Sequence, residues 1–212
     1  MRDYKTILEY TETEIEIKKS KFIGRVYHVE TEDAIESILN DVRKEHYKAT
    51  HVCPAYVLGE TDDTPRRQKA NDDGEPAGTA GKPMLEIINN HELENVLVIV
   101  IRYFGGIKLG AGGLVRAYAG TTAQVIQEAP VILKQLSDLI TIEIDYNQYG
   151  NLINKLTAKG YTPVSENFGE KVSLDFYLPV AETENFIARL TDLTNDQFEY
   201  VVMGREYVDV RC

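Results

Sequence analysis

The sequence predicts an α+β protein of two domains, residues 1–134 and 135–212. Three observations carry that prediction. Apolar residues recur at strand period and at helix period in alternating stretches along the 212 residues, and 43% hydrophobic with 27% charged side chains is ordinary globular composition. A long helical pattern breaks at Ala129-Pro130, because proline disfavours helix in the residue before it. Charge also differs across that seam, with 17 basic and 21 acidic side chains over 1–134 against 6 and 13 over 135–212.

In the first domain, Ile15 and Ile17 alternate with polar residues over Glu12–Lys18 and predict a strand. Its partner is Lys21–Val29, reached through a turn at Ser20-Lys21. Thr31 is placed to cap a helix whose Ile35, Ile38, Leu39 and Val42 form one apolar stripe. His51–Leu58 reads as a strand and Gly59–Gly78 as a long polar loop. Met84, Ile87, Ile88 and His91 repeat at helical spacing, with Pro83 suited to the first turn. Val96–Ile101 is apolar on both faces and predicts a central strand. After a glycine-rich loop, Leu114, Ala117, Tyr118, Thr121 and Val125 mark a helix.

The second domain is more regular. Ile140, Ile142 and Ile144 alternate within a strand over Leu136–Tyr146, and Tyr149, Leu152, Ile153 and Leu156 form a helical stripe stopped at Gly160. Strands over Tyr161–Asn167 and Lys171–Leu178 follow, then a helix on Phe186, Leu190 and Leu193, and a last strand over Phe198–Val210. The order β-α-β-β-α-β is that of a ferredoxin-like split fold, with one sheet face under two helices.

A net charge of −11 argues against a protein that coats nucleic acid or an anionic membrane with its whole surface. Two cysteines, Cys53 and Cys212, are too few for a secreted disulfide framework or a four-cysteine zinc site. The aliphatic run Val96–Ile101 is far short of a membrane span, and Met1–Tyr10 lacks the apolar core of a signal peptide. A cytoplasmic protein without membrane attachment is expected.

The segment from Arg102 to Arg116 leaves the buried strand and opens a helix, with five glycines between Gly105 and Gly113. Such glycines let another group approach the backbone, and free N–H groups at a helix start favour an anion. Asn95–Gln127 contains no Asp or Glu in 33 residues. Arg102, Lys108 and Arg116, with Gly110, Gly112 and Gly113 at the helix start, are therefore candidate phosphate-binding residues. The motifs G-x-x-x-x-G-K-[ST] and G-x-G-x-x-G are both absent, and a turn whose glycines serve only packing is the alternative. Tyr103 and Phe104 are placed to stack on exposed bases, or else to close the core at the strand end.

The preceding loop sets Arg66, Arg67 and Lys69, further candidate cations, beside Asp72, Asp73 and Glu75. These carboxylates are close enough in sequence to share a Mg²⁺ brought by a phosphate ligand, although on spacing alone a solvated, self-neutralising turn is the favoured reading. No other cofactor is expected. Among the histidines, His91 falls on an apolar stripe and His28 and His46 lack companions. His51 shares a strand face with Cys53, which makes it a weak candidate for acid–base work, with Cys53 as readily a buried small hydrophobe.

Three segments taken together, Thr50–Tyr56, Asn71–Gly81 and Arg102–Tyr118, resemble the IMPACT family in its bacterial form, over nearly the whole chain. The resemblance implies a first domain like domain 2 of ribosomal protein S5 and of elongation factor G domain IV. It implies a second domain like the ferredoxin-like domains of the same factor. Eukaryotic relatives regulate translation by competing for an activator of the amino-acid-starvation kinase, through an added RWD domain. The first predicted strand opens at Glu12, so that domain and its partner are not expected here. The resemblance implies a link to RNA or the ribosome, and with the acid-free glycine-rich segment it leads to the expectation of a non-enzymatic protein that modulates translation, with a protein-interaction module as one alternative. The other alternative is a phosphate-handling enzyme, because the S5-like fold also hosts the GHMP kinases; the serines of their loop are missing here.

Overall fold

The periodicities above resolve into ten strands and five helices in a computed structural model that describes residues 2–61 and 64–211; Cys212 lies outside the described residues. Two units separate, chiefly Asp3–Leu133 and Lys134–Val210. The first contains β1 (Tyr4–Ile7), β2 (Thr11–Ile17), β3 (Ser20–His28), α1 (Glu32–Glu45), β4 (His51–Leu58) and β5 (Arg67–Ala70). It continues through α2 (Gly81–Asn90), β6 (Val96–Tyr103) and α3 (Ala111–Glu128). Its sheet runs β2-β3-β6-β4-β5 with antiparallel neighbours.

β6 lies at the centre and is buried on both faces, as its unbroken apolar run requires. Val96, Val98 and Val100 join Met84, Ile88, Leu114, Tyr118 and Val125 in the layer beneath α2 and α3. Leu97, Ile99 and Ile101 join Ile35 and Val42 beneath α1. Thr31 caps α1 as predicted, its Oγ1 accepting from the Ala34 N–H at 3.2 Å.

In the first unit three features differ from the sequence reading. The β2–β3 turn is Lys18-Lys19, both left-handed (φ 47° and 64°), so Ser20 is already paired with Ile17. A two-residue hairpin turn of type I′ demands positive φ at both positions, and lysines carry no signal for it. The loop expected over Gly59–Gly78 contains β5, an exposed edge strand whose side chains Arg67, Gln68 and Lys69 lack an apolar alternation. β1 is too short to register as a pattern.

The second unit holds β7 (Val131–Ile144), α4 (Tyr146–Thr157), β8 (Ser165–Phe168), β9 (Val172–Pro179), α5 (Thr183–Thr194) and β10 (Glu199–Arg211). Its strands are ordered β10-β7-β9-β8. Ile140, Ile142 and Ile144 pack with Val172, Leu174, Phe176 and Leu178 against Leu152, Leu156, Phe186 and Leu190. β8 is shorter than the expected Tyr161–Asn167 because Pro163 has no N–H to give a ladder. Among the described residues no helix is long and apolar enough to cross a membrane.

Candidate functional site: a cleft beside the glycine-rich loop

Strand alternation splits the end of β6. Arg102 turns to the α2–α3 side, in register with Phe22 on β3 and His51 on β4. Tyr103 turns to the α1 side, where its hydroxyl meets His46 Nδ1 at 2.8 Å. The chain then crosses the hairpin so closely that a Cβ on Gly105 would lie 1.9 Å from the Lys19 carbonyl oxygen, so only glycine fits. The Phe104 and Gly105 N–H groups donate to Thr50 Oγ1 and Ser20 Oγ. Gly110, at φ 74°, leads into α3, whose first turn has no acidic residue and no capping side chain.

The acidic loop is organised by its three carboxylates, which turn to different donors. Asp72 accepts from the N–H groups of Gly78, Ala80 and Gly81 at 2.8, 3.0 and 2.8 Å. Burial raises its pKa, but the three backbone donors outweigh that and hold it below the usual carboxylate value. Asp73 accepts from the Val52 N–H at 2.7 Å, and its carbonyl oxygen meets His51 Nδ1 at 2.8 Å. Glu75 is buried, 2% exposed at the side chain, and its Oε1 accepts from Arg102 Nη1 at 2.6 Å and from the Tyr118 hydroxyl at 2.8 Å. The shared Mg²⁺ site expected at Asp72, Asp73 and Glu75 is thus not assembled, and no metal-ligating group of three occurs among the described residues.

Arg102 is almost as buried, at 6%. Its guanidinium lies near the rings of both Phe22 and Phe104, 5.4 and 5.5 Å from their centroids, and its Nε has no hydrogen-bond partner among the described residues. Cys53 beside it donates to the Asp72 carbonyl at 3.1 Å, and burial pushes the thiol up to about 12, so no thiolate nucleophile stands next to His51. Burial likewise raises the Tyr118 hydroxyl.

Over this network opens a cleft of about 340 Å³, lined by His51, Glu75, Arg102, Phe104, Lys108 and Gly110 among others. Lys108 and Arg116 are exposed and make no ion pair among the described residues, but only Lys108 lines the cleft. The expected convergence of Arg102, Lys108 and Arg116 is therefore partial, since Arg102 is held by Glu75. Gly110 lines the cleft, and Gly112 and Gly113 lie in the first turn of α3. Arg66, Arg67 and Lys69 lie elsewhere, at and just before β5. Arg66 meets Glu94 at 3.4 Å and Arg67 meets Glu32 at 3.2 Å. The aromatic ring at the cleft is Phe104 and not Tyr103. The Glu75–Arg102–Tyr118 network was invisible as spacing, since its members are far apart in the chain. One signal was available: an arginine directly following six buried residues needs a carboxylate partner, and Asn95–Gln127 supplies none.

Comparison with known proteins places this arrangement in a class. Residues 18–126 match the model of the Impact N-terminal domain, and residues 142–197 match a domain of unknown function, DUF1949. The chain belongs to the IMPACT family. It is 40% identical over 195 residues to IMPACT family member YvyE of Bacillus subtilis, covering 92% of this chain and 88% of that one. It is 35% identical over 188 residues to YigZ of Escherichia coli, covering 89% and 92%. A crystal structure described only as a hypothetical protein superimposes with a TM-score of 0.61 at 32% identity, covering 96% of this chain and 98% of that one.

Proposed function

We propose that this protein acts without catalysis, binding RNA or the ribosome and modulating translation, with the glycine-rich loop as its phosphate contact. The observation that carries the reading is Lys108, which pairs with no carboxylate among the described residues, beside the uncapped start of α3 in a stretch of 33 residues without an acid. Helix dipole, unsatisfied N–H groups and a mobile ammonium together favour a phosphate. The overall charge of −11 opposes a polyanion only weakly, because exposed charges beyond the Debye length of roughly 8 Å are screened.

The fold supports the same reading by likeness to translation proteins. The β10-β7-β9-β8 order fits a ferredoxin-like second domain over 135–212. In the first, β3 and β4 flank β6 with α1 between them in the chain, which fits an S5 domain 2-like domain over 1–134. Against a Mg²⁺-nucleotide enzyme stands the engagement of all three loop carboxylates by protein donors.

Filter-binding titration of RNA and of ribosomes across salt concentrations tests this. Binding that weakens with salt is expected, with Lys108→Gln lowering the slope by about 1. An absent or salt-insensitive signal rejects the reading.

A further inference from the structure

We propose that the cleft is a ribonucleotide subsite that reads the ribose 2′-hydroxyl: His51 Nε2 accepts the hydroxyl hydrogen, Lys108 and the start of α3 hold a neighbouring phosphate, and the base lies on Phe104. The proposal rests on the RNA reading above and names what that reading leaves open, the chemical feature by which one strand is told from another.

The first support is the tautomer of His51. The Asp73 carbonyl oxygen can only accept, so Nδ1 carries the hydrogen of their 2.8 Å contact. In the neutral ring Nε2 is then an acceptor, and it faces another acceptor, Glu75 Oε1, at 3.8 Å. That oxygen is already supplied by Arg102 and Tyr118. In that neutral form the two acceptors face each other with no donor between them among the described residues. A ligand hydroxyl supplies one.

The second support is the surroundings of that gap. The cleft is at the small end of the volume range of ligand sites, room for one nucleotide unit and not for a duplex. Leu109, Leu114 and Pro76 give it apolar walls. Phe104 is 47% exposed, while Arg102 lies over its ring. This is a stacking platform backed by a cation. The Arg102 guanidinium is neutralised by Glu75, so what that wall offers is an Nε without a partner among the described residues, and the positive charge at the opening is that of Lys108. Acceptor, phosphate seat and aromatic face thus border one opening, matching the hydroxyl, phosphate and base of a single-stranded ribonucleotide.

The test is fluorescence anisotropy on the full chain with one labelled single-stranded oligonucleotide in three forms: ribo, deoxy and 2′-O-methyl. The ribo form should bind about ten-fold more tightly than the other two, the scale of one satisfied hydrogen bond at a buried acceptor. His51→Ala should erase that preference, and Phe104→Leu should weaken all three forms. Equal binding of the three forms by the wild-type chain overturns the subsite and leaves the polyanion reading standing. So does a ribo preference that survives His51→Ala. Failure of the wild-type chain to bind any of them overturns the subsite, and an absent signal for ribosomes as well, in the filter-binding titration above, overturns both. The wild-type series needs no variant, so a misfolded substitution does not blunt the test.

Discussion

Arg25 and Arg102 stand on opposite faces of the same sheet, both nearly buried and both ion-paired, yet the two sites are finished differently. Arg25, beneath α1, donates from Nε to Glu12 at 2.6 Å and from both terminal nitrogens to Glu45 at 2.7 Å. Its carboxylates are 41% and 57% exposed, so water shares them. Arg102 has one deeply buried carboxylate, a serine hydroxyl at 3.5 Å, an unpartnered Nε and an open cleft alongside. The first is a closed latch between strand and helix. The second keeps polar capacity at an opening, which is where a ligand gains most from entering.

The largest separation of the two sites should come from Glu75→Ala, which strands a buried guanidinium and should cost about 3–5 kcal/mol in urea unfolding. A cost near zero would erase the distinction. Arg25→Met should cost less, about 1–3 kcal/mol, because Glu12 and Glu45 rehydrate once released.

Acid sharpens the contrast further. The Arg25 hydrogen bond lowers the pKa of Glu45. Burial raises Glu12, but hydrogen bonds from Tyr10 and Arg25 outweigh it and lower it overall. Carboxylates depressed in the folded state stabilise it fully above their ordinary value of 4.5 and lose that contribution as pH falls through the depressed value. The stability gap between wild type and Arg25→Met should therefore narrow on acidification, read from unfolding free energies at a series of pH values. Asp72→Ala, which removes the acceptor for three N–H groups at the start of α2, should cost about 1 kcal/mol by thermal or urea unfolding. Lys108→Gln and Arg116→Gln should change stability by less than about 0.5 kcal/mol, because neither side chain holds the fold.

The layers of the fold were legible wherever side chains alternate or stripe, as in Val96–Ile101, the stripe of α1 and the isoleucines of β7. Backbone-driven features were not: the Lys18-Lys19 turn depends on φ alone, and β5 on edge pairing without burial. At the candidate site, composition pointed to the glycine loop and to Lys108, and both border the cleft. It misplaced Arg102 as a free cation, because a buried pair linking residues 75 and 102 is a tertiary contact with no local signature. Tyr103 and Phe104 were given the same two roles by the sequence, and only the end of β6 fixes which ring meets α1 and which borders the cleft.

Gly105 ties the rim of the cleft to the β2–β3 hairpin with no space for even a methyl group between them. Loop and hairpin consequently form a single mechanical piece. Any shift of Lys19 and Ser20 is transmitted to Phe104 and the start of α3, so the aperture is gauged by a turn that contributes no side chain to its lining.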